Sequence, residues 1–139
     1  MRYAIKIVVL IFFTYSITAA VCIEGHVPVE TEYSQAALVL TADVVSSQAV
    51  PESKDGYFLG GVNYTVRVAE SLKGHSSQNL KIFSENSSGR FDMELGKRYL
   101  IFAYKEHARL RIDSCGNSGV LVMSEQTLAK ARVLSRRSK

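Results

Sequence analysis

The sequence contains only two cysteines among its 139 residues, Cys22 and Cys115. Two cysteines allow a single intramolecular disulfide, which an oxidising compartment favours. Closing that loop would stabilise the folded chain by about 4–5 kcal/mol in the chain-entropy description. The alternative is two unrelated thiols, one of them used in an intermolecular bond. Cys22 and His26 have a ligand-like spacing, but structural zinc takes four ligands and the sequence shows no second pair. No metal and no cofactor are therefore predicted.

The sequence also lacks an apolar run long enough to span a membrane. The apolar segment over residues 7–21 is short and interrupted by polar side chains, whereas a spanning helix takes about 20 mostly apolar residues. Two basic residues precede it, and small residues end it at Ala20, which is the layout of a cleaved signal peptide. We predict a signal peptide over residues 1–20, a single domain over 21–139, a secreted or periplasmic location and no stable membrane span.

The body of the chain lacks an excess of positive charge. The whole chain has 17 basic and 13 acidic residues, but Arg2 and Lys6 leave with the signal peptide. Five more basic residues lie from Ser124 to Lys139 beside one acid, so residues 21–123 keep 10 basic and 12 acidic side chains. This balance does not indicate a basic groove, and we predict no nucleic-acid partner.

The basic tail has the pattern of a helix. Ser124 suits an N-cap, and Leu128, Ala131 and Leu134 form a partial apolar stripe. The cations towards its end predict either a solvated helix terminus or a site for acidic membrane or polysaccharide surfaces.

Motifs of enzymatic chemistry are absent from the sequence. There is no P-loop, dinucleotide fingerprint or zinc-protease motif. His26, His75 and His107 fall in predicted turns or termini, without a recognisable nucleophile and base. Asp113 near Cys115 fits a strand-end residue that hydrogen-bonds the turn better than an acid beside a nucleophile. We predict that the chain is not an enzyme.

The remaining sequence has the pattern of strands separated by turns. Apolar runs and alternation predict strands over 36–46, 62–72, 80–83, 97–105 and 110–113. Alternate residues from Val62 to Val68 share one face, so Tyr64 is predicted to be a core residue rather than a base-stacking platform. Pro51 and three glycines mark 48–61 as an exposed loop. The pattern predicts a mainly β fold, a closed or nearly closed antiparallel barrel with a C-terminal helix.

Three segments together resemble the netrin-like domain, which includes the N-terminal inhibitory domain of tissue inhibitors of metalloproteinases. They are a first strand over 38–45 behind an N-terminal cysteine, a strand that ends in Lys73-Gly74, and a strand–turn–strand–cysteine segment with a helix over 96–128. The resemblance implies a five-stranded OB-type barrel. It also matches Cys115 to the cysteine that bonds the second member of the family's N-terminal C-x-C pair.

One departure from the family bears on function. In its metalloproteinase inhibitors, the first cysteine of the C-x-C pair begins the mature chain, and its amine and carbonyl chelate the zinc of the target. Here Cys22-Ile23-Glu24 retains one cysteine, which corresponds to the second of the pair, and Val21 would be the terminal residue. A terminus that is not held by its own disulfide lacks preorganisation, which argues against zinc-directed inhibition.

The sequence therefore predicts a secreted or periplasmic protein-binding module that resembles tissue inhibitors of metalloproteinases. The partner would be another protein, with an extracellular protease as the candidate class. The predicted binding surface combines two segments, whose residues are Val21, Cys22, Ile23 and Glu24 in the first and Pro51, Tyr57 and Phe58 in the second. The alternative is a non-inhibitory cell-envelope accessory domain whose tail associates weakly with polyanions or membrane surfaces.

Overall fold

The computed structural model describes Cys22 and residues 26–52, 58–74 and 76–138. The predicted signal peptide lies outside the described residues. In chain order the elements are α1 (Val29–Gln35), β1 (Leu38–Pro51), β2 (Leu59–Lys73), β3 (Asn79–Glu85), β4 (Arg98–Glu106), β5 (Arg109–Ile112), β6 (Gly119–Val120), a 3-10 turn (Leu121–Met123) and α2 (Glu125–Arg137).

Five strands form a continuous hydrogen-bonded ring. β1 pairs with β2, β2 with β3, β3 with β5 and β5 with β4. β4 returns to β1 along Leu38–Asp43, which closes the ring, and the short β6 pairs with the other side of β4. The prediction of a mainly β fold with a C-terminal helix is confirmed. The prediction of an all-antiparallel arrangement is wrong at one pair, because β3 and β5 run parallel.

The interior of the ring is one hydrophobic cluster to which every ring strand contributes. Its buried members are Leu38, Leu40, Ala42, Val44, Tyr64, Val66, Ile82, Met93, Tyr99, Ile101, Ala103 and Ile112. Tyr64 is a core residue, as predicted. A second cluster lies outside the ring, where α1 and α2 cover Val39, Leu100 and Phe102. Residues 38–44 of β1 and 99–103 of β4 are therefore buried on both faces, which explains their near-continuous apolar runs.

The predicted loop over 48–61 is wrong at both ends, because β1 continues to Pro51 and β2 begins at Leu59. The strands remain paired through contacts such as Ala49 with Val62. Gly61, taken from sequence as a turn signal, instead lies within β2. A Cβ atom there would come within 2.5 Å of the Phe83 ring, so glycine permits the close approach of β3.

Helix α1 is an element that the sequence pattern does not predict. Tyr33 packs it against the ring and donates a hydrogen bond to the Leu72 carbonyl at 2.8 Å. Lys73 donates from Nζ to the carbonyls of Tyr33, Ser34 and Ala36 at 2.6–2.9 Å, so it holds the C-terminal end of the helix. The next residue, Gly74, has φ of +78°. The Lys-Gly pair thus both caps α1 and ends β2.

Helix α2 packs against the outer face of the ring as its apolar stripe predicts. Leu128 and Ala131 are buried, and Leu134 is partly buried against the same cluster. Ser124 occupies the predicted N-cap position, but the prediction of a side-chain cap is wrong. Its hydroxyl donates to the Val120 carbonyl at 3.0 Å instead. None of the helices in the described part of the chain has the length and apolar character needed to cross a membrane.

Candidate functional site

Cys22 and Cys115 form the predicted disulfide, with Cα atoms 5.5 Å apart. The bond links the start of the described chain to the loop that follows β5, and it fits an oxidising compartment. Beside it, Asp113 accepts a hydrogen bond from the Cys115 N–H at 3.0 Å, which is the turn-stabilising role predicted for this residue. His26 places Nδ1 3.3 Å from the Cys115 carbonyl oxygen. Cys22 is thus held through its sulfur rather than free to bind metal.

A buried carboxylate lies beneath this disulfide. Glu32 of α1 is only 1% exposed. It accepts hydrogen bonds from the Tyr104 hydroxyl at 2.7 Å and from both the backbone N–H and the side-chain amide of Asn117 at 2.6 Å. Burial raises the pKa of Tyr104, and the neighbouring Glu32 carboxylate raises that pKa further. Gly116 leaves room for this carboxylate, because a Cβ atom there would overlap Glu32 Oε1.

β1 and β2 remain paired with each other beyond the point where β4 leaves β1, and β2 also pairs with β3 there from Gly61 onward. We define the β1–β2 arm as residues 46–51 and 59–65, which pair with each other. Its tip is held by the Glu52 N–H, which donates to the Phe58 carbonyl at 2.8 Å. The Phe58 side chain is 69% exposed. The arm therefore carries an unburied aromatic side chain at its end.

Along the arm, β1 is an edge strand. β4 pairs with β1 as far as Asp43. At the next residue the Val44 N–H donates to the Lys97 carbonyl at 3.1 Å, and the Gly96 N–H donates to the Val44 carbonyl at 2.8 Å. Beyond that point, over residues 46–51, no other strand in the described part of the chain pairs with the outer side of β1. This edge segment has no charged side chain. Pro51 has no N–H, but the outward-facing N–H and C=O groups of residues 46–50 have no strand partner among the described residues.

The β3–β4 loop connects the arm to the disulfide. Asn86 donates its backbone N–H to the Gly60 carbonyl at 3.0 Å and its side-chain amide to the Leu59 carbonyl at 2.9 Å. On the other side of the same loop, the Gly89 carbonyl accepts from the Ser114 N–H at 2.9 Å. We call this continuous surface of arm, loop 86–90 and disulfide the rim.

The rim includes only part of the binding surface predicted from sequence. Cys22, the exposed Pro51 and the exposed Phe58 belong to it. The other predicted residues, Val21, Ile23, Glu24 and Tyr57, lie outside the described residues. Loop 86–90 separates Cys22 from the arm, and sequence reasoning did not assign it to the site. Its polar, turn-forming composition marked it as a loop but gave no indication of what it contacts.

No family model matches this chain, and a comparison with curated proteins finds no match. The netrin-like resemblance is therefore carried by the residues and segments named above.

Hydrogen bonds among its own side chains hold the loop of the rim. Arg90 donates to Asp92 at 2.6 Å and to the Asn86 side-chain oxygen at 3.2 Å, which fixes the loop. Within the described residues, no three histidine, cysteine, aspartate or glutamate side chains cluster as metal ligands would. The rim thus combines a strand edge, an exposed aromatic ring and a hydrogen-bonded loop.

Proposed function

We propose that this chain is a secreted or periplasmic protein-binding module and that its partner docks on the rim. The observation that carries the proposal is the uncharged outer edge of β1 over residues 46–51, next to the exposed Phe58. Natural edge strands are protected against pairing by charges, by proline or by β-bulges. Here Pro51 and the register shifts at Val44/Ser46 and Val50/Pro51 lie at the ends of the segment, and no charged side chain lies between them. An edge without such a charge favours the addition of an extended segment from a partner, and aromatic side chains are frequent anchors in such interfaces.

We also propose that the ring is an OB-type barrel of the netrin-like kind. Two features support this reading beyond the sequence resemblance. The ring is closed through β1 and β4, and its one parallel pair joins β3 to β5. Lys73-Gly74 has a specific role at the junction of β2 with α1, which accounts for the presence of this pair.

The partner class that the resemblance suggests is an extracellular protease. Binding of the rim, rather than chelation of the active-site zinc, is the mode we propose, because the first cysteine of the C-x-C pair is absent. A direct test measures how tightly secreted zinc metalloproteinases bind two forms of the chain. One form begins at Val21, and the other has an alanine added before Val21. We expect equal binding by both. If the added alanine greatly weakened binding, zinc-directed inhibition would again be the favoured mode.

Docking at the arm is tested with a photo-crosslinking residue, benzoylphenylalanine, in place of Gln48 or of Lys81. Both positions are exposed, but Gln48 lies on the free edge of β1 whereas Lys81 lies on β3. With the protein's own extracellular or periplasmic fraction, we expect an adduct from position 48 that excess unlabelled protein suppresses. Equal adducts from both positions, or none from position 48, would refute docking at this edge.

A second candidate function is a non-inhibitory accessory domain of the cell envelope. The observation in its favour is the helix α2, whose Lys130, Arg136 and Arg137 are exposed. Among the described residues, none of the three has a carboxylate within ion-pair distance. Replacing Lys130, Arg136 and Arg137 by glutamine separates the two candidates, because it should weaken envelope association and leave binding at the rim intact, while the buried face of α2 is kept.

A further inference from the structure

Two consecutive aliphatic side chains are unusually exposed at the start of α2. Val122 is 78% exposed and Met123 is 87% exposed, although Leu121 beside them packs against the outer hydrophobic cluster. Single exposed apolar residues are ordinary on protein surfaces, whereas adjacent ones on a projecting turn indicate contact with an apolar phase or partner.

Val122, the first residue of the pair, is continuous with the outer face of α2. Val122 and Ala129 line one shallow groove, and Ala129 and Val133 line the next one along the helix. Val133 is 41% exposed. A narrow apolar strip thus runs along the solvent-facing side of the helix, which is about 20 Å long.

Cations flank this strip in the C-terminal half of α2. Lys130 and Arg137 line the second groove, together with the carboxylate of Glu30. Arg136 is exposed near the same end of the helix. A fourth cation, Arg132, is already paired with Glu70 at 2.7 Å and adds little net charge. The strip is therefore bordered by three cations towards its C-terminal end, unpaired within the described part of the chain, and by two carboxylates, Glu30 in the second groove and Glu125 in the first groove beside Val122.

We propose that this α2 surface binds an anionic lipid bilayer, with Val122 and Met123 inserted at the headgroup level. The inference deepens the accessory-domain candidate and is independent of docking at the rim. Basic side chains beside an exposed apolar strip are the composition of helices that lie in the plane of a membrane interface. A polysaccharide would explain the cations but would give no reason for the exposed aliphatic pair.

Vesicle sedimentation with the chain from Val21 to Lys139 tests the proposal. We expect binding to vesicles of phosphatidylcholine with 30% phosphatidylglycerol and none to pure phosphatidylcholine. The binding should fall at least fivefold between 50 and 300 mM NaCl, because electrostatic attraction to the surface is screened. Failure to sediment with the anionic vesicles at low salt would overturn the proposal.

Charge removal is tested with two triple variants of equal net charge. The first replaces Lys130, Arg136 and Arg137 by glutamine and should weaken anionic-vesicle binding more than tenfold, since each cation near such a surface contributes substantially. The matched control makes the same replacement at three exposed lysines on other elements, namely Lys81, Lys97 and Lys105. The control should stay within threefold of the wild type, and equal weakening by both would overturn the assignment to α2.

Apolar insertion is tested separately with the double variant Val122→Ser and Met123→Gln. Both residues are exposed, so the substitutions should leave the fold intact, which a circular dichroism spectrum confirms. We expect at least fivefold weaker binding to the anionic vesicles and unchanged binding to heparin. Unchanged vesicle binding would refute insertion of Val122 and Met123 and with it the proposal. Binding to heparin without binding to vesicles would show that the ligand is a soluble polyanion and that the bilayer proposal is wrong.

Discussion

Replacement of Glu32 by alanine should lower the free energy of unfolding by about 3 kcal/mol. The carboxylate is 1% exposed and accepts three hydrogen bonds, two of them from Asn117 and one from Tyr104. Alanine would leave the Asn117 backbone N–H and the Tyr104 hydroxyl without their acceptor. Each buried donor that loses its acceptor costs about 1–3 kcal/mol.

This cost is partly offset, because the native chain also pays a desolvation penalty for burying the carboxylate. The variant Glu32→Gln separates the two contributions. Glutamine fills the same volume, and its carbonyl can accept from Asn117 while its amide donates to the Tyr104 oxygen. We expect Glu32→Gln to cost about 1 kcal/mol, which is a third of the alanine effect.

Urea unfolding followed by circular dichroism measures both values on the disulfide-bonded chain. With a urea dependence of about 1.5 kcal/mol per molar, the alanine variant should unfold about 2 M earlier than the wild type and the glutamine variant less than 1 M earlier. Glu30→Ala is the matched control, because Glu30 lies on the same helix and is exposed. Its unfolding free energy should stay within about 0.5 kcal/mol of the wild type.

The reasoning would be refuted if Glu32→Ala unfolded at nearly the wild-type urea concentration. It would also fail if Glu32→Gln were as destabilising as Glu32→Ala, because the carboxylate's negative charge rather than its accepting geometry would then be essential.

Three further predictions concern single residues around the ring. The pKa of Tyr104 is raised from 10.0, so the folded chain holds the hydroxyl proton more tightly than the unfolded chain does. The stability that this difference adds to the fold is complete below pH 10 and is lost progressively as the pH rises above 10. In urea unfolding, the advantage of the wild type over Tyr104→Phe should therefore shrink by up to about 1.4 kcal/mol per pH unit above pH 10, and a constant advantage would contradict the assignment. Lys73→Met removes three hydrogen bonds to α1 and should lower the free energy of unfolding by about 2 kcal/mol. The control Lys81→Met, at an exposed position of β3, should leave that free energy unchanged. His107 has φ of 54°, a backbone conformation that glycine adopts readily and valine does not. His107→Val should therefore lower the free energy of unfolding by about 1 kcal/mol or more, and His107→Gly should not. Equal destabilisation by the two variants would show that backbone strain at this position is unimportant.

Local patterns were sufficient wherever one rule governed a segment. The period-two alternation from Val62 to Val68 predicted a core-facing row, since β2 has one face towards the ring interior there. The cysteine count predicted the Cys22–Cys115 bond. The helical spacing of Leu128 and Ala131 predicted the packing of α2, although the side-chain cap at Ser124 was wrong because its hydroxyl bonds the preceding turn.

Helix α1 was missed because its inward face is not entirely apolar. Only Val29 and Tyr33 supply apolar side chains within seven residues, and the third buried position is Glu32. A glutamate is ordinarily assigned to the surface, so the pattern has no visible stripe. Its burial becomes intelligible only when Asn117 and Tyr104, far along the chain, are seen to supply the hydrogen bonds.

The rim was likewise beyond local sequence reasoning, since long-range register assembles it. Asn86 reaches the arm only because β2 and β3 pair as they do, and Gly89 reaches Ser114 only because β5 lies beside β3. The disulfide then anchors Cys22 at the other side of the same loop. Under the netrin-like reading that we propose, this anchor corresponds to the second cysteine of the family's pair, and the chelating first cysteine is absent. Recognition of a protein partner without chelation of zinc is therefore the function that we propose for the rim.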